Sequence, residues 1–212
     1  MFEVQSWDVQ ECEYGIVIDN FYWSPKRIQE LILTLDPKPH KADLKPSYNG
    51  KYFKDMRHTL YSGQVIPIYE FLNKWAKQKP LGENGERRIS SNVFRMKKDP
   101  FHTPDTHYWW PHFDMGWTAI VYLNEEDDTG TNLYETCEEE ETAKNNTEEH
   151  YEPWRPKEKY KLLHTFEPKF NRLVMFDGSK YCHGMNLCSD KFSTGHPRMN
   201  QVFFYDGRNQ NP

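Results

Sequence analysis

The chain has 212 residues, 36% of them hydrophobic and 16% aromatic, and its formal net charge is −5. This length and the seven tryptophans suffice for one domain with a substantial core. No run of about 18 apolar residues occurs, and the N-terminus lacks the basic and apolar regions of a signal peptide, so neither a membrane span nor secretion is expected. The four cysteines show no CxxC spacing, which favours reduced thiols in a cytoplasmic protein.

The first part of the chain predicts one strand and two helices. The β-branched residues of YGIVIDNFY indicate a strand over residues 14–22. Ser24 and Pro25 are favourable at a helix start. The helix after them has apolar residues at helical spacing: Ile28, Leu31, Ile32 and Leu35. Residues 36–60, which are rich in Lys, Pro and His, are interpreted as a long connecting loop.

A second helix is predicted over residues 65–78, because its apolar residues fall on one face. These residues are Val65, Ile68, Tyr69, Leu72, Trp75 and Ala76. Both helical faces are expected to pack in the core.

From residue 88 onward, short strand-like runs follow one another, separated by turns rich in Gly, Asp, Asn and Pro. The runs are RISSNVFRM (88–96), GWTAIVYLN (116–124), YKLLHTFEP (160–168), NRLVMFDG (171–178), YCHGMNL (181–187) and RMNQVFFYD (198–206). Helices followed by many short strands predict an α+β protein with a sandwich or barrel. No domain boundary is evident. We therefore expect a single domain over residues 1–212, with supporting elements in 1–87 and a β core in 88–206.

An acidic segment interrupts the predicted core. Residues 124–152 hold 12 acidic residues and one lysine, a local balance of −11, which leaves +6 for the rest of the chain. The segment has no apolar period, and we predict an acidic loop over residues 124–160 that is exposed at 135–152. The remaining positive charge shows no clustered basic stripe, so nucleic acid is not expected as a partner.

The stretch YWWPHFDMGWTAIVYLN places His112 and Asp114 at the mouth of an apolar strand. In an extended chain, residues i and i+2 project to the same side, so an imidazole and a carboxylate can share one metal ion. Two histidines and one carboxylate on one face are typical of non-haem Fe(II) oxygenases. By itself, the pair also fits a structural hydrogen bond at a strand start.

The third ligand must come from elsewhere in the chain, and His183 is the first candidate. It follows an apolar strand and a turn, and Gly184 is expected to leave space for a bulky ligand beside it. His164, on another predicted strand, is the second candidate. His102 and His107 are assigned to a polar approach loop. A hydrogen-bonded core histidine is the structural alternative for His183.

Several pieces of the chain resemble the 2-oxoglutarate- and Fe(II)-dependent dioxygenases, most closely the prolyl 4-hydroxylase-like branch. They are PHFD, TAIVYLN, GTNLY, NRLVMFDGSKYCHG and RMNQVFFY within residues 88–206, and more loosely IVIDNFYWSPKRIQELI. The resemblance implies a double-stranded β-helix, related to jelly rolls and cupins, with flanking N-terminal helices. It also implies that His112, Asp114 and His183 bind Fe(II).

The resemblance further implies a binding site for 2-oxoglutarate. The basic residue at the start of the last core strand, which binds the far carboxylate of the cosubstrate, falls on Arg198. Tyr122 would contribute a hydroxyl to the same carboxylate, and Thr118 shares its strand face. Lys191 is the competing basic residue, because Arg198 lies farther from His183 than is usual in the family. Tyr122 and Thr118 could instead be core-packing residues. Arg198 could instead be an exposed charge at the end of a strand.

These features predict a dioxygenase that hydroxylates a peptidyl, prolyl-like substrate or a small molecule and releases succinate and CO2. Ascorbate is a further candidate cofactor. Tyr108, Trp109 and Trp110, expected near the mouth of the site, could contact a peptide, stack on a nucleobase or simply pack under the loop, and packing is the first expectation for at least one tryptophan. The acidic segment would repel phosphates, which disfavours the nucleobase. The alternative is a non-catalytic, cupin-like module that binds a metal or a partner. The oligomeric state is not predicted.

Overall fold

A computed structural model describes residues 7–34, 38–39, 53–61, 66–80, 88–96, 104–125, 129–136, 154–189, 191–193 and 197–206. This part of the chain contains two α-helices, α1 (Pro25–Thr34) and α2 (Ile66–Ala76). Its strands are β1 (Val9–Cys12), β2 (Gly15–Ile18), β3 (Lys38–Pro39), β4 (Phe53–Tyr61), β5 (Lys79–Pro80), β6 (Arg88–Met96), β7 (His107–His112), β8 (Trp117–Tyr122), β9 (Thr129–Thr136), β10 (Trp154–Pro156), β11 (Tyr160–Phe166), β12 (Leu173–Asp177), β13 (Cys182–Leu187) and β14 (Arg198–Asp206). Two short 3-10 turns cover Lys157–Lys159 and Lys191–Ser193.

The strands form two antiparallel sheets whose connectivity defines the fold. The major sheet has the order β1-β2-β12-β8-β14-β6-β4-β3, with β5 beside β14. The minor sheet has the order β10-β7-β13-β9-β11. Along the chain, β6, β8, β12 and β14 belong to the major sheet, whereas β7, β9, β11 and β13 belong to the minor one. This eight-stranded jelly roll is a double-stranded β-helix, as predicted.

The two helices pack against the outer face of the major sheet. Successive side chains of a strand point to opposite faces, so the residues of β8 contribute in turn to two separate cores. Ala119 and Val121 contact the helical side, whereas Ile120 and Tyr122 point between the sheets. The core on the helical side includes these helix residues: Ile32, Ile68, Tyr69, Leu72 and Ala76. No described helix is long and apolar enough to cross a membrane.

The predicted apolar face of α2 is confirmed, while that of α1 is confirmed in part. Ile28 and Ile32 pack against the core, but Leu31 is 48% exposed, so its assignment to the core is wrong. Leu35 and Val65 lie outside the described residues. The predicted strand over residues 14–22 is also shorter than expected. It ends at Ile18, because Asn20 has a φ of 53° and turns the chain.

Two loop predictions are wrong in part. Residues 36–60 include β3 and most of β4, which pairs with β6 along its whole length. The charged residues of FKDMRHTLY obscure the alternation expected of a half-buried strand. Residues 40–52 lie outside the described part of the chain.

The predicted acidic loop also contains strand structure. β9 lies inside the minor sheet between β13 and β11, and β10 lies at the sheet's edge. Polar residues of β9 are buried because they have hydrogen-bond partners: Thr131 bonds to Tyr122, and Asn132 bonds to Thr165. Residues 137–153, which include most of the predicted exposed stretch, lie outside the described residues.

Candidate metal centre

The structure brings together His112, Asp114 and His183, the three residues predicted to bind a metal. His112 is the last residue of β7, and His183 lies opposite it on β13. Asp114 lies in the turn between β7 and β8. Its Oδ1 is 3.8 Å from His112 Nε2, and its Oδ2 is 3.2 Å from His183 Nε2. One ligand atom from each residue falls within 4.8 Å of the other two.

The hydrogen bonds of the two histidines leave the correct nitrogen available for a metal. His112 Nδ1 lies 2.8 Å from the carbonyl oxygen of Trp110, and His183 Nδ1 lies 3.0 Å from that of Tyr181. A carbonyl oxygen can only accept a hydrogen bond, so each Nδ1 must carry the proton. In the neutral ring, Nε2 then holds the lone pair, and both Nε2 atoms face Asp114.

Asp114 is held as a carboxylate beneath these two rings. Burial alone would raise its pKa, but His183 and His112 in their protonated, charged form and a hydrogen bond from the Thr118 hydroxyl together hold the pKa well below its usual value. A bound metal ion would replace the Nε2 protons and supply the positive charge in their place. The backbone N–H of Asp114 donates to the Gly178 carbonyl at 2.9 Å. A Cβ at Gly178 would lie 3.0 Å from the Asp114 Cβ, so this glycine lets the turn pack closely. Thr118, predicted to line the pocket, therefore contacts one of the three predicted metal ligands.

The donor set fits a divalent transition metal with open positions. It offers two neutral imidazoles and one carboxylate on the same side. Metal–ligand bonds of about 2.1 Å at right angles separate neighbouring donor atoms by about 3 Å. The separations of 3.2 and 3.8 Å, which run to the two different oxygens of Asp114, are of this order.

β7 itself was not predicted, and His107, assigned to an approach loop, begins this strand. Pro111 and the positive φ of Trp110, 52°, interrupt the regular strand pattern. The proposed space beside Gly184 is also absent. A Cβ at Gly184 would lie 2.6 Å from the Trp109 carbonyl oxygen and 3.2 Å from Pro111 N. Gly184 thus permits the close approach of β7, and its prediction as room for a ligand is wrong.

His164, the second candidate for the third ligand, lies in an aromatic stack instead. Its ring is stacked on Tyr14 at 4.9 Å and contacts Phe166 at 4.6 Å, edge to face. Burial lowers the pKa of His164.

Arg198 and Tyr122 lie together on the inner side of the major sheet. Arg198 is 8% exposed, and its Nε donates to the Thr129 hydroxyl at 3.0 Å. Its guanidinium carbon is 5.9 Å from the centre of the Tyr122 ring. Arg198 is therefore not an exposed charge at a strand end. Lys191 lies in a 3-10 turn outside the strands and is partly buried.

The Tyr122 hydroxyl is a neutral hydrogen-bonding group. It lies 2.7 Å from the Thr131 hydroxyl, and burial raises the pKa of Tyr122 to about 12. Phe176 belongs to the same interior cluster as Tyr122 and packs edge-on against His183. Phe176 therefore links the cluster of His112, Asp114 and His183, here called the metal group, to the interior cluster that contains Tyr122.

Thr129 and Thr131 were missed by the sequence analysis because they were assigned to the acidic loop. Both are buried, and their hydroxyls bond to Arg198 and Tyr122. The alternating threonines of TGTNLY were the available signal, since a period of two is typical of a strand.

The aromatic residues before His112 pack against other parts of the protein. Trp109 is buried against Trp154 at 4.9 Å, edge to face, and Tyr108 contacts Tyr134 at 4.5 Å. Trp110 is partly buried, with its ring 6.3 Å from that of His112. The ring of Trp110 therefore contacts that of His112, one of the three predicted metal ligands.

No family model and no curated protein matches the chain. Solved structures similar to it include an oxidoreductase of the 2OG-Fe(II) oxygenase family from Burkholderia pseudomallei, at 12% identity and a TM-score of 0.45 over 86% of this chain and 77% of that one. An N-substituted L-amino acid dioxygenase from Burkholderia ambifaria has 14% identity and a TM-score of 0.46, over 91% and 82%. A bsmA homolog from Methylobium petroleophilum has 11% identity and a TM-score of 0.46, over 90% of this chain and 87% of that one. Similarities at this level do not assign the chain to a family.

Proposed function

We propose that this protein is an Fe(II)- and 2-oxoglutarate-dependent dioxygenase. The observation that carries the proposal is the donor set, in which two histidines with Nε2 available and one ionised aspartate converge. Phe176 packs against His183 and belongs to the same interior cluster as Tyr122, the neighbour of the buried Arg198. A stored metal does not require open positions, whereas three ligands on one side leave room for a cosubstrate and dioxygen.

In this proposal, His112, Asp114 and His183 hold Fe(II). The bound metal with 2-oxoglutarate would supply the oxidative chemistry, in which succinate and CO2 form and the substrate gains one oxygen atom. The chain's own contribution is to fix the ligands in one tautomer and one charge state. The carbonyls of Trp110 and Tyr181 fix the tautomer of the two histidines.

Arg198 and Tyr122 are proposed to bind the far carboxylate of 2-oxoglutarate. A guanidinium remains charged when it is buried and can bind a carboxylate through two parallel hydrogen bonds. Tyr122 retains its proton at neutral pH and can donate to the same carboxylate. The surrounding side chains are apolar and keep water away from this interaction: Ile120, Leu133, Phe176 and Val202.

For the substrate, we propose a peptidyl, prolyl-like group first and a small molecule second. The acidic residues that flank β9 would attract a neutral or basic polypeptide and repel phosphates. The test is succinate release with proline-rich peptides, free amino acids and single-stranded oligonucleotides. A product heavier by one oxygen atom with the oligonucleotide alone would overturn this ranking.

The central experiment is an anaerobic titration of the protein with Fe(II) and 2-oxoglutarate. We expect a weak visible charge-transfer band in the wild type and its loss in His112→Ala, Asp114→Ala and His183→Ala. His164→Ala is the matched control, because His164 lies outside the metal group. If the protein binds the metal but shows neither the charge-transfer band nor succinate formation in air, the non-catalytic, cupin-like module would be favoured instead.

A further inference from the structure

We infer that a β-bulge at Trp110 and Pro111, accommodated by Gly184, positions the ligand His112. This inference rests on the proposed metal site and concerns how the chain builds it. The bulge is visible in the pairing of β7 with β13. His112 lies opposite His183, and Trp109 lies opposite Met185, with a register shift between these two pairs.

The register shift means that β7 carries one extra residue. Two residues of β7, Trp110 and Pro111, separate the paired positions, whereas only Gly184 separates them on β13. Two residues opposite one is the definition of a β-bulge. Bulges of this kind bend the strand and re-aim the side chains that follow.

The extra residue decides which way His112 points. His183 and Met185 are two apart, so they share a face of β13. Trp109 and His112, their direct partners, must share that face too, although they are three residues apart. In a regular strand, residues three apart point to opposite faces. Without the bulge, His112 would point away from His183 and Asp114.

The backbone of Trp110 takes the conformation that such a bulge requires. Its φ of 52° lies in the left-handed region, which is favourable for glycine and unfavourable for a bulky residue. The first position of a common type of bulge is a left-handed glycine, and here it is a tryptophan. In this conformation the Trp110 carbonyl accepts the His112 Nδ1–H at 2.8 Å, and the bulge therefore also selects the tautomer.

The partner strand is adapted to the bulge. At Gly184, a Cβ would meet the carbonyl oxygens of Trp109 and Trp110 at 2.6 and 3.1 Å and Pro111 N at 3.2 Å. These are backbone atoms, so they cannot rotate away as a flexible side chain would. Pro111 has no N–H and so loses no donor within the irregular part of the ladder. Trp110, Pro111 and Gly184 are positioning residues, because they act through His112.

The test uses Co(II) as the probe and compares three substitutions at Trp110. Trp110→Gly, Trp110→Asn and Trp110→Val all remove the indole, but only valine resists the left-handed conformation. We expect the glycine and asparagine variants to bind Co(II) within about threefold of wild type. The valine variant and Gly184→Ala should lose about 10- to 100-fold in affinity, as expected for lost support of a ligand.

The Co(II) absorption spectrum separates positioning from general destabilisation. We expect the spectra of Trp110→Val and Gly184→Ala to resemble that of His112→Ala. Leu72→Ala is the control, because Leu72 is buried in α2 against the outer core. It should lower stability and leave the Co(II) affinity and spectrum unchanged.

Three outcomes would overturn the inference. The first is equal Co(II) affinity for the valine and glycine variants at Trp110. The second is wild-type affinity in Gly184→Ala; if that variant does not fold, the Trp110 series decides. The third is failure of the wild-type protein to bind Co(II), which would overturn the proposed metal site as well.

Discussion

Arg198 is a charged residue that the protein buries at the first position of its last strand. Its Nε bonds to Thr129, and its guanidinium lies beside the Tyr122 ring. A buried guanidinium is expensive to desolvate unless an anion or several hydrogen bonds compensate. A dicarboxylate cosubstrate would be one such anion.

We expect Arg198→Ala to raise the 2-oxoglutarate concentration needed for half-maximal succinate formation by about tenfold or more. Loss of a hydrogen bond to a charged group costs roughly 1.5–3 kcal/mol. Lys191→Ala is the matched control and should change this concentration little. Steady-state succinate measurements on both variants decide the question, and the reverse ranking would transfer the cosubstrate contact to Lys191.

At this scale, sequence reasoning reached the residues whose chemistry is distinctive. An imidazole and a carboxylate two positions apart are conspicuous before an apolar strand. His183 follows from its place after an apolar strand and a turn together with the family resemblance, and Arg198 follows from the resemblance. Thr129 and Trp110 were not reachable in the same way. The Thr129 hydroxyl matters because a distant strand brings Arg198 to it, and the Trp110 carbonyl matters because the bulge directs it to His112.

Among the elements, strands with clear apolar character were predicted well. β6 and β14 have the predicted bounds, whereas β4, β7 and β9 were missed. Charges in β4, a proline and a bulge in β7, and acidic neighbours of β9 conceal their alternation. Their pairing is set by contacts between residues far apart in the chain, which a local pattern does not record.

One ion pair joins two elements of the major sheet. Asp19, just after β2, accepts hydrogen bonds from Arg172, just before β12, at 2.7 and 3.2 Å. These bonds, aided by Lys169 and opposed by partial burial, hold the pKa of Asp19 at about 2 instead of the usual 3.8. The carboxylate is 23% exposed, so solvent screens it only in part.

The lowered pKa of Asp19 gives a pH-dependent contribution to stability. The contribution is present above about pH 4 and is lost as the pH falls towards 2, because in this range the unfolded state binds a proton that the folded state does not. A shift from 3.8 to about 2 corresponds to roughly 2 kcal/mol. We therefore expect Asp19→Asn to lower the free energy of unfolding by about that amount at pH 7.

Urea denaturation of wild type and Asp19→Asn between pH 7 and pH 3 measures this effect. The difference in the free energy of unfolding between the two proteins should become smaller below about pH 4. A difference that stays constant with pH would show that the asparagine acts by another route than loss of the charge.

In the whole molecule, the metal group connects separate parts of the barrel. Its histidines lie on two strands of the minor sheet, and its aspartate lies in the turn that leads into the major sheet. A ligand that binds only the folded state stabilises it by about 2.7 kcal/mol at 100 times its dissociation constant. For a protein of this size, that corresponds to an increase in Tm of about 5–10 °C.

We therefore expect Mn(II), which avoids oxidation during the scan, to raise the Tm of the wild type by this amount. His183→Ala should show little increase at the same concentration. Differential scanning calorimetry of both proteins checks the expectation, and an equal increase in both would place the stabilising metal elsewhere.

The chain between β9 and β11 forms a segment that could be removed without changing the pairing of these two strands. Thr136 and Tyr160 are already antiparallel partners, and the residues between them include β10, which covers the free edge of β7. A two-residue Asn-Gly hairpin turn could therefore replace residues 137–159 and leave the eight strands of the jelly roll paired as before. The shortened protein would expose the backbone edge of the strand that carries His112, and such edges pair with other chains. We expect it to self-associate more strongly than the full chain in sedimentation experiments, which would show that β10 protects the edge of β7 from pairing with other chains.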